Sequence, residues 1–131
     1  RGVRGWNLGR NMNKDLTKDA LAMALADYPR PEIHHSDQGG QYATPDYTMM
    51  LPGTKLSMSA KGRPTENGIV GRFIRTFKEE HIDYSEYESF RDAVEEIKYW
   101  LEHEYMTERI HSSLAYMTPF EFELVHGILH E

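Results

Sequence analysis

The chain has 131 residues, 27% charged and 39% apolar, which suits one soluble domain with a core and leaves no room for two. No apolar run approaches the roughly 20 residues of a membrane helix and no signal-peptide pattern opens the chain, so no membrane partner and a cytoplasmic location are expected. The lack of cysteine excludes disulfides and thiolate metal sites, and a net charge of -6 argues against a generic nucleic-acid coat.

The elements follow in order. Gly2 to Leu8 carries Val3, Trp6 and Leu8 among Gly and Asn, and reads as a short strand. Because the chain starts at the brink of that strand, a missing upstream segment is expected. Leu16, Ala20, Leu21, Ala24 and Leu25 recur at helical spacing and predict a helix over 13–28 that Pro29 and Pro31 end. A strand over 32–37 then delivers Asp37 into a turn marked by Gly39 and Gly40. Thr44 as N-cap and Pro45 at the first position open a short helix over 45–51. Leu56 and Met58 alternate with polar residues in a strand over 55–59.

A helix over 65–80 is expected to bury Ile69, Val70, Phe73, Ile74 and Phe77, which share one arc at about 100° per residue. Gly68, Gly71, Arg75 and Lys78 fall near the opposite side, with Arg72 at its border. Ser89 and Asp92 resemble a capping box for a long helix over 89–107. Its stripe is Phe90, Ala93, Val94, Ile97, Trp100, Leu101 and Tyr105. Thr118, Pro119 and Glu121 start a last helix over 118–126. Strand, helix, strand, helix, strand and then helices make an α/β order, with few strands for a helix-covered sheet.

The net charge conceals a segregation. From Lys61 to Lys78 five basic residues meet one acid, Glu66, whereas from Glu79 to Glu108 only Arg91 and Lys98 oppose many acids. Such a basic patch binds phosphate in a salt-sensitive way; two ordinary solvated helix faces would read the same. Asp37 stands at the carboxyl end of a strand, where α/β sheets place ligands, but an Asx-type turn explains it equally. His34 and His35 point to opposite faces of a strand and cannot chelate together. Ser36 has no triad context. Lys61, Gly62 and Arg63 precede a helix N-terminus, a place suited to anions or simply a solvated loop. Asn67 serves as a cap or a DNA contact. Arg109, His111, Ser112 and Ser113 follow the long helix, where turn formation and dipole compensation are the ordinary roles.

Together these residues resemble the integrase-like catalytic core of insertion-sequence transposases, in the retroviral-integrase superfamily. The resemblance rests on His35-Ser36-Asp37-Gln38-Gly39-Gly40-Gln41-Tyr42, Ser57-Met58-Ser59, Lys61-Gly62-Arg63-Pro64, Asn67 and Phe73 to Glu80. It continues through Arg109, His111-Ser112, Leu114, Tyr116, Thr118-Pro119 and Glu121-Phe122, with Val3 to Trp6 as the strand ahead of the first helix. It implies a ribonuclease H-like fold, here lacking its first two strands. It also implies phosphodiester transfer on DNA by two Mg²⁺ or Mn²⁺ ions held by two Asp and one Glu.

Asp37 matches the second of those carboxylates. The first would lie upstream of Arg1, and the position of the Glu, four residues after Asn67, is Gly71. The spacing from Asp37 to this helix is about two residues shorter than the family's usual gap. Glu66 lies about 140° round the helix from position 71 and substitutes poorly. Met106 and Ala115 stand where the family usually has Asn and Gly.

The expectation is therefore a catalytic core that is inactive by itself, with weak or absent metal binding at Asp37. DNA contacts are expected from Lys61, Arg63, Asn67, Arg72, Arg75, Lys78, Arg109 and His111. The alternative is a non-catalytic DNA-binding or dimerisation module, and an unrelated helical interaction protein comes third. Unpaired strand edges beside the missing strands would favour a homodimer or a strand-exchanged oligomer.

Overall fold

A computed structural model describes residues 2–11, 13, 15–60 and 68–126. The chain divides into two compact units, Arg4–Lys78 and Arg1–Val3 with Glu79–Glu131.

In the first unit, Asn13 opens helix α1 (Asp15–Asp27) by accepting the Asp15 N–H on its side-chain oxygen at 3.0 Å. Strand β1 (Ile33–Ser36) is joined to β2 (Lys55–Met58) through helix α2 (Pro45–Thr48). Thr44 caps α2 by accepting the Tyr47 N–H, with Pro45 in the first turn. The two strands pair in parallel, His34 beside Leu56 and His35 beside Ser57. Lys55 N–H donates to Glu32 O at 2.9 Å and Ser59 N–H to Ser36 O at 2.8 Å, extending the ladder past both ends. Leu21, Tyr47 and Leu51 form the core of this unit, with Leu25, Tyr42 and Met50 packed on it.

The strand expected over residues 2–8 does not form. Within the first unit, its stretch from Arg4 lies along α1 instead. Asn7 Nδ2 donates to Leu16 O at 3.1 Å, and a side chain at Gly5 would collide with the Ala20 carbonyl and the backbone of Ala24. The Arg4 guanidinium sits 4.1 Å over the Tyr28 ring, a cation–π contact. Arg4, Gly5 and Asn7 thus meet α1 and Tyr28 rather than join a ladder.

Helix α3 (Gly68–Glu80) forms within the predicted span, whose residues 65–67 lie outside the described ones, but it buries no residue. Ile69, Val70 and Ile74 are 65%, 49% and 41% exposed, contrary to the expected buried arc. Phe73 and Phe77 are half-buried, their rings stacked at 6.4 Å. Amphipathic spacing dictates a helix and an apolar side; it does not supply the surface that covers it.

In the second unit, helix α4 (Phe90–Tyr99) starts at Ser89, whose side chain accepts the Asp92 N–H at 3.1 Å. The single α-helix expected over 89–107 is corrected: Trp100–Glu108 is wound as a π-helix. Its buried residues are Trp100, Leu101, Tyr105 and Met106, two pairs five positions apart. An i→i+5 winding keeps both pairs on the core side, where an α-helix would turn Glu104 and Glu108 inward. The same winding aligns His103 Nε2 with Glu108 Oε1 at 2.9 Å. Helix α5 (Pro119–Val125) begins with a reciprocal box: the Thr118 side chain accepts the Glu121 N–H and the Glu121 carboxylate accepts the Thr118 N–H.

Between the π-helix and α5, His111 pairs with Met117 across a turn in which Ala115 and Tyr116 have φ of 53° and 61°. A Cβ in the left-handed region costs roughly 1–2 kcal/mol, part of which glycine recovers despite its freer unfolded chain. Ala115→Gly is expected to raise stability by roughly 0.5–1 kcal/mol, read as a higher urea midpoint at unchanged m-value.

Candidate nucleic-acid interface

The pleat of β1 sends its two histidines to different partners. His35 faces the same side as Ser57 and Ser59, with Nδ1 2.9 Å from Ser57 Oγ and Nε2 3.0 Å from Ser59 Oγ. On the other face His34 Nε2 lies 2.9 Å from the Tyr47 hydroxyl. The Tyr47 ring meets those of His34 and Tyr42 edge-on, at 5.5 and 5.4 Å. Burial and the neighbouring Tyr42 push the Tyr47 hydroxyl up to about 12, so it remains protonated as a donor. Burial chiefly lowers the His34 pKa, opposed by a backbone hydrogen bond and aided by the His35 charge.

Asp37 follows directly, exposed, with Oδ1 accepting the Gly39 N–H at 2.8 Å. This is an Asx turn, the local role weighed for it. Buried Ser36 donates to the Asp37 carbonyl at 2.9 Å. The Asp37 charge reaches Tyr42, whose hydroxyl is raised first by burial and then by this carboxylate. No ion pair joins Asp37 to Arg72, Arg75 or Lys78 among the described residues.

Those three cations are all exposed on α3. Gly71, beside Arg72, is exposed as well, and a Cβ built there meets nothing within 4 Å. The position has room for a carboxylate and holds none. Lys61, Arg63 and Asn67 lie outside the described residues.

Arg109, expected at DNA, is ion-paired within the second unit. Its Nε donates to both Glu80 oxygens, at 3.0 and 2.7 Å, and Nη1 lies 3.2 Å from Nδ1 of half-buried His111. The His111 ring meets Tyr105 edge-on at 5.3 Å. These two residues hold a turn, and the Arg109 charge is offset by a carboxylate. Sequence reading missed this pair because Glu80 is 29 residues away. It also missed the His35 bridge, whose signal was the alternation of Ser57 and Ser59 opposite a histidine.

Charge differs sharply between the units. Arg4–Lys78 contains eleven Lys and Arg against seven Asp and Glu, while Arg1–Val3 with Glu79–Glu131 contains four against fourteen. The net positive charge therefore lies in the first unit, and the second is strongly acidic.

Among the described residues no group of three or more His, Cys, Asp and Glu could hold a metal ion. A lone exposed Asp37 does not fit a two-metal centre, since even one Mg²⁺ normally takes one or two carboxylates plus substrate phosphates.

Comparison with known proteins matches residues 52–119 to the family described as Integrase core domain. The transposase for insertion sequence element IS904 of Lactococcus lactis is 36% identical over 127 residues, covering 94% of this chain and 50% of that protein. An uncharacterized 31 kDa protein of insertion element IS600 from Shigella sonnei is 36% identical over 119 residues, covering 88% and 44%. Transposase InsF for insertion sequence IS3A of Escherichia coli K12 is 36% identical over 127 residues, covering 94% and 44%. The chain spans about half the length of these curated relatives. No solved structure matches.

Two outcomes follow from the site. Gly71→Ala should stabilise α3 by about 1 kcal/mol, the helix-interior difference between the two residues, because nothing obstructs the new methyl; thermal melting reads it. His34 has a folded pKa below its unfolded value, so the stability it contributes is present above about pH 6.5 and lost as pH falls through the folded pKa. Urea titrations at descending pH should show that loss, and His34→Gln should flatten it.

Proposed function

Because this chain belongs to the integrase core domain family, we propose that it is a DNA-binding portion of an insertion-sequence transposase core that does not transfer phosphodiesters by itself. The observation that carries this reading is the exposed side of α3, where Arg72, Arg75 and Lys78 flank Gly71. Three cations at helical spacing suit successive phosphates of a duplex. The residue between them, which the family resemblance makes a metal-holding Glu, has no side chain. Lys61 and Arg63, just ahead of this helix in sequence, add to the same basic stretch, and Asn67 lies between them and α3. Arg109 and His111 are secondary candidates, since a phosphate would have to displace Glu80 from the guanidinium.

The ligands on this reading are transposon ends and target DNA in the cytoplasm. No described helix is long and apolar enough to cross a membrane. Self-association is part of the proposal: Ile33, Leu56 and Met58 on the two-stranded sheet are exposed, as are Ile69, Val70 and Ile74 on α3. A short parallel sheet with bare apolar residues favours a homodimer or strand exchange, and light scattering that returned only monomer would remove this part.

Binding to labelled duplex DNA, followed against salt, tests the main reading. Affinity should fall steeply with salt, and Ala at Arg72, Arg75 or Lys78 should each reduce the log–log slope by about 0.9. A flat salt response sinks DNA binding. With Mg²⁺ or Mn²⁺ and terminal-repeat DNA the chain should give no nicked or joined product; metal-dependent turnover would refute its inactivity.

A further inference from the structure

The turn from His111 to Met117 is held closely by its own backbone. His111 N–H donates to Met117 O at 3.0 Å, Tyr116 N–H to His111 O at 2.9 Å and Leu114 N–H to His111 O at 3.0 Å. Leu114 within the turn is buried, as are Thr118 and Pro119 just after it. Ala115 and Tyr116 both lie in the left-handed region, with φ of 53° and 61°. For a bulky residue that region is an outlier, which glycine or asparagine occupies with less strain. Yet Tyr116 is 70% exposed, and its side chain makes no hydrogen bond or ring contact among the described residues. Packing thus does little to offset the strain, and strain of this kind clusters at sites that bind. From Ile110 to Phe120 the chain has no Asp, Glu, Lys or Arg, an uncharged window in an acidic unit. Ser112 and Ser113 are exposed on the same turn.

We propose that Tyr116 is a stacking platform for an unpaired nucleic-acid base. This rests on the DNA-binding reading above and adds a contact that the cations of α3 do not supply. Phosphates are alike on paired and unpaired strands, whereas an unpaired base exposes its π-face and its hydrogen-bonding edge. An aromatic ring takes the face, and serine hydroxyls offer a donor and acceptors to the edge. Stacking needs no positive charge, so an uncharged turn can supply it. One ring beside two serines is also too small and too polar for the broad apolar patch that marks a protein-binding surface. Order already imposed by the turn lowers the entropy lost when a base docks.

The test measures binding of the full chain to a labelled duplex with a short unpaired tail, beside the same duplex with the tail paired. The tailed duplex should bind roughly tenfold tighter, the effect of one stacked base. A tail of abasic sugar-phosphate should lose that preference. Tyr116→Phe should keep it, and Tyr116→Asn should abolish it while leaving the affinity for paired duplex and its salt slope unchanged. Because asparagine tolerates the left-handed region, Tyr116→Asn should also raise the urea midpoint, so that lost binding is not lost folding. A preference that survives in Tyr116→Asn, or on abasic tails, overturns the proposal. So does a Tyr116→Asn chain that loses self-association in light scattering with the preference intact, which gives the ring to a protein interface. Salt-dependent duplex binding without preference for the tail sinks this inference alone. If neither DNA is bound in a salt-dependent way, the DNA-binding reading fails and this inference falls with it.

Discussion

The parallel register of β1 against β2 is the constraint on which the candidate site depends. The strands have four residues each, near the lower limit for strands, so side chains must help hold the pairing. His35 does so on one face, by bonding Ser57 and Ser59, while on the other His34 ties β1 to Tyr47 of α2. Because successive side chains alternate, a slip of one residue would turn His35 away from both serines and His34 away from Tyr47. One register satisfies both histidines, and it fixes the direction in which the chain leaves β1 at Asp37.

Helix α3 is under a different constraint. Thirteen residues are marginal for a helix standing alone in water, and Gly68 and Gly71 weaken it further. Packing of the apolar side usually makes up that deficit, yet no residue of α3 is buried. The stack of Phe73 on Phe77 supplies some of the missing contact. The helix thus carries two demands, an apolar cover on one side and an anionic partner on the other, and α3 itself satisfies neither.

What the sequence disclosed follows the range of the interactions involved. The starts at Thr44, Ser89 and Thr118 were legible because a cap and the backbone N–H it accepts lie within three residues. Opposite faces for His34 and His35 followed from the pleat alone, but their partners lie 13 to 24 residues away and needed the register. The segment from Gly2 to Leu8 was misread because a short apolar-rich stretch suits an extended chain beside a helix, as from Arg4 here, as well as a strand in a sheet. The π-helix was hidden because Trp100, Leu101 and Tyr105 also satisfy an α-helical stripe, and only the burial of Met106 decides between them. Ala115 was legible as a departure from the family's usual Gly. Its φ of 53° supplies the reason for that preference.

On the proposed reading, the absence of one side chain changes what α3 attracts. A carboxylate at position 71 would serve a metal ion and repel phosphate. It would also offset part of the charge of Arg75, which lies one turn on. Glycine removes all three effects at once. The remaining acid, Asp37, spends one oxygen on the Gly39 N–H and makes no ion pair with the helix cations. The unit therefore keeps its positive excess on an exposed face. The acidic unit, with Arg109 held by Glu80, offers phosphate little. On that reading, Gly71 leaves α3 with a surface suited to the nucleic-acid backbone rather than to metal ions.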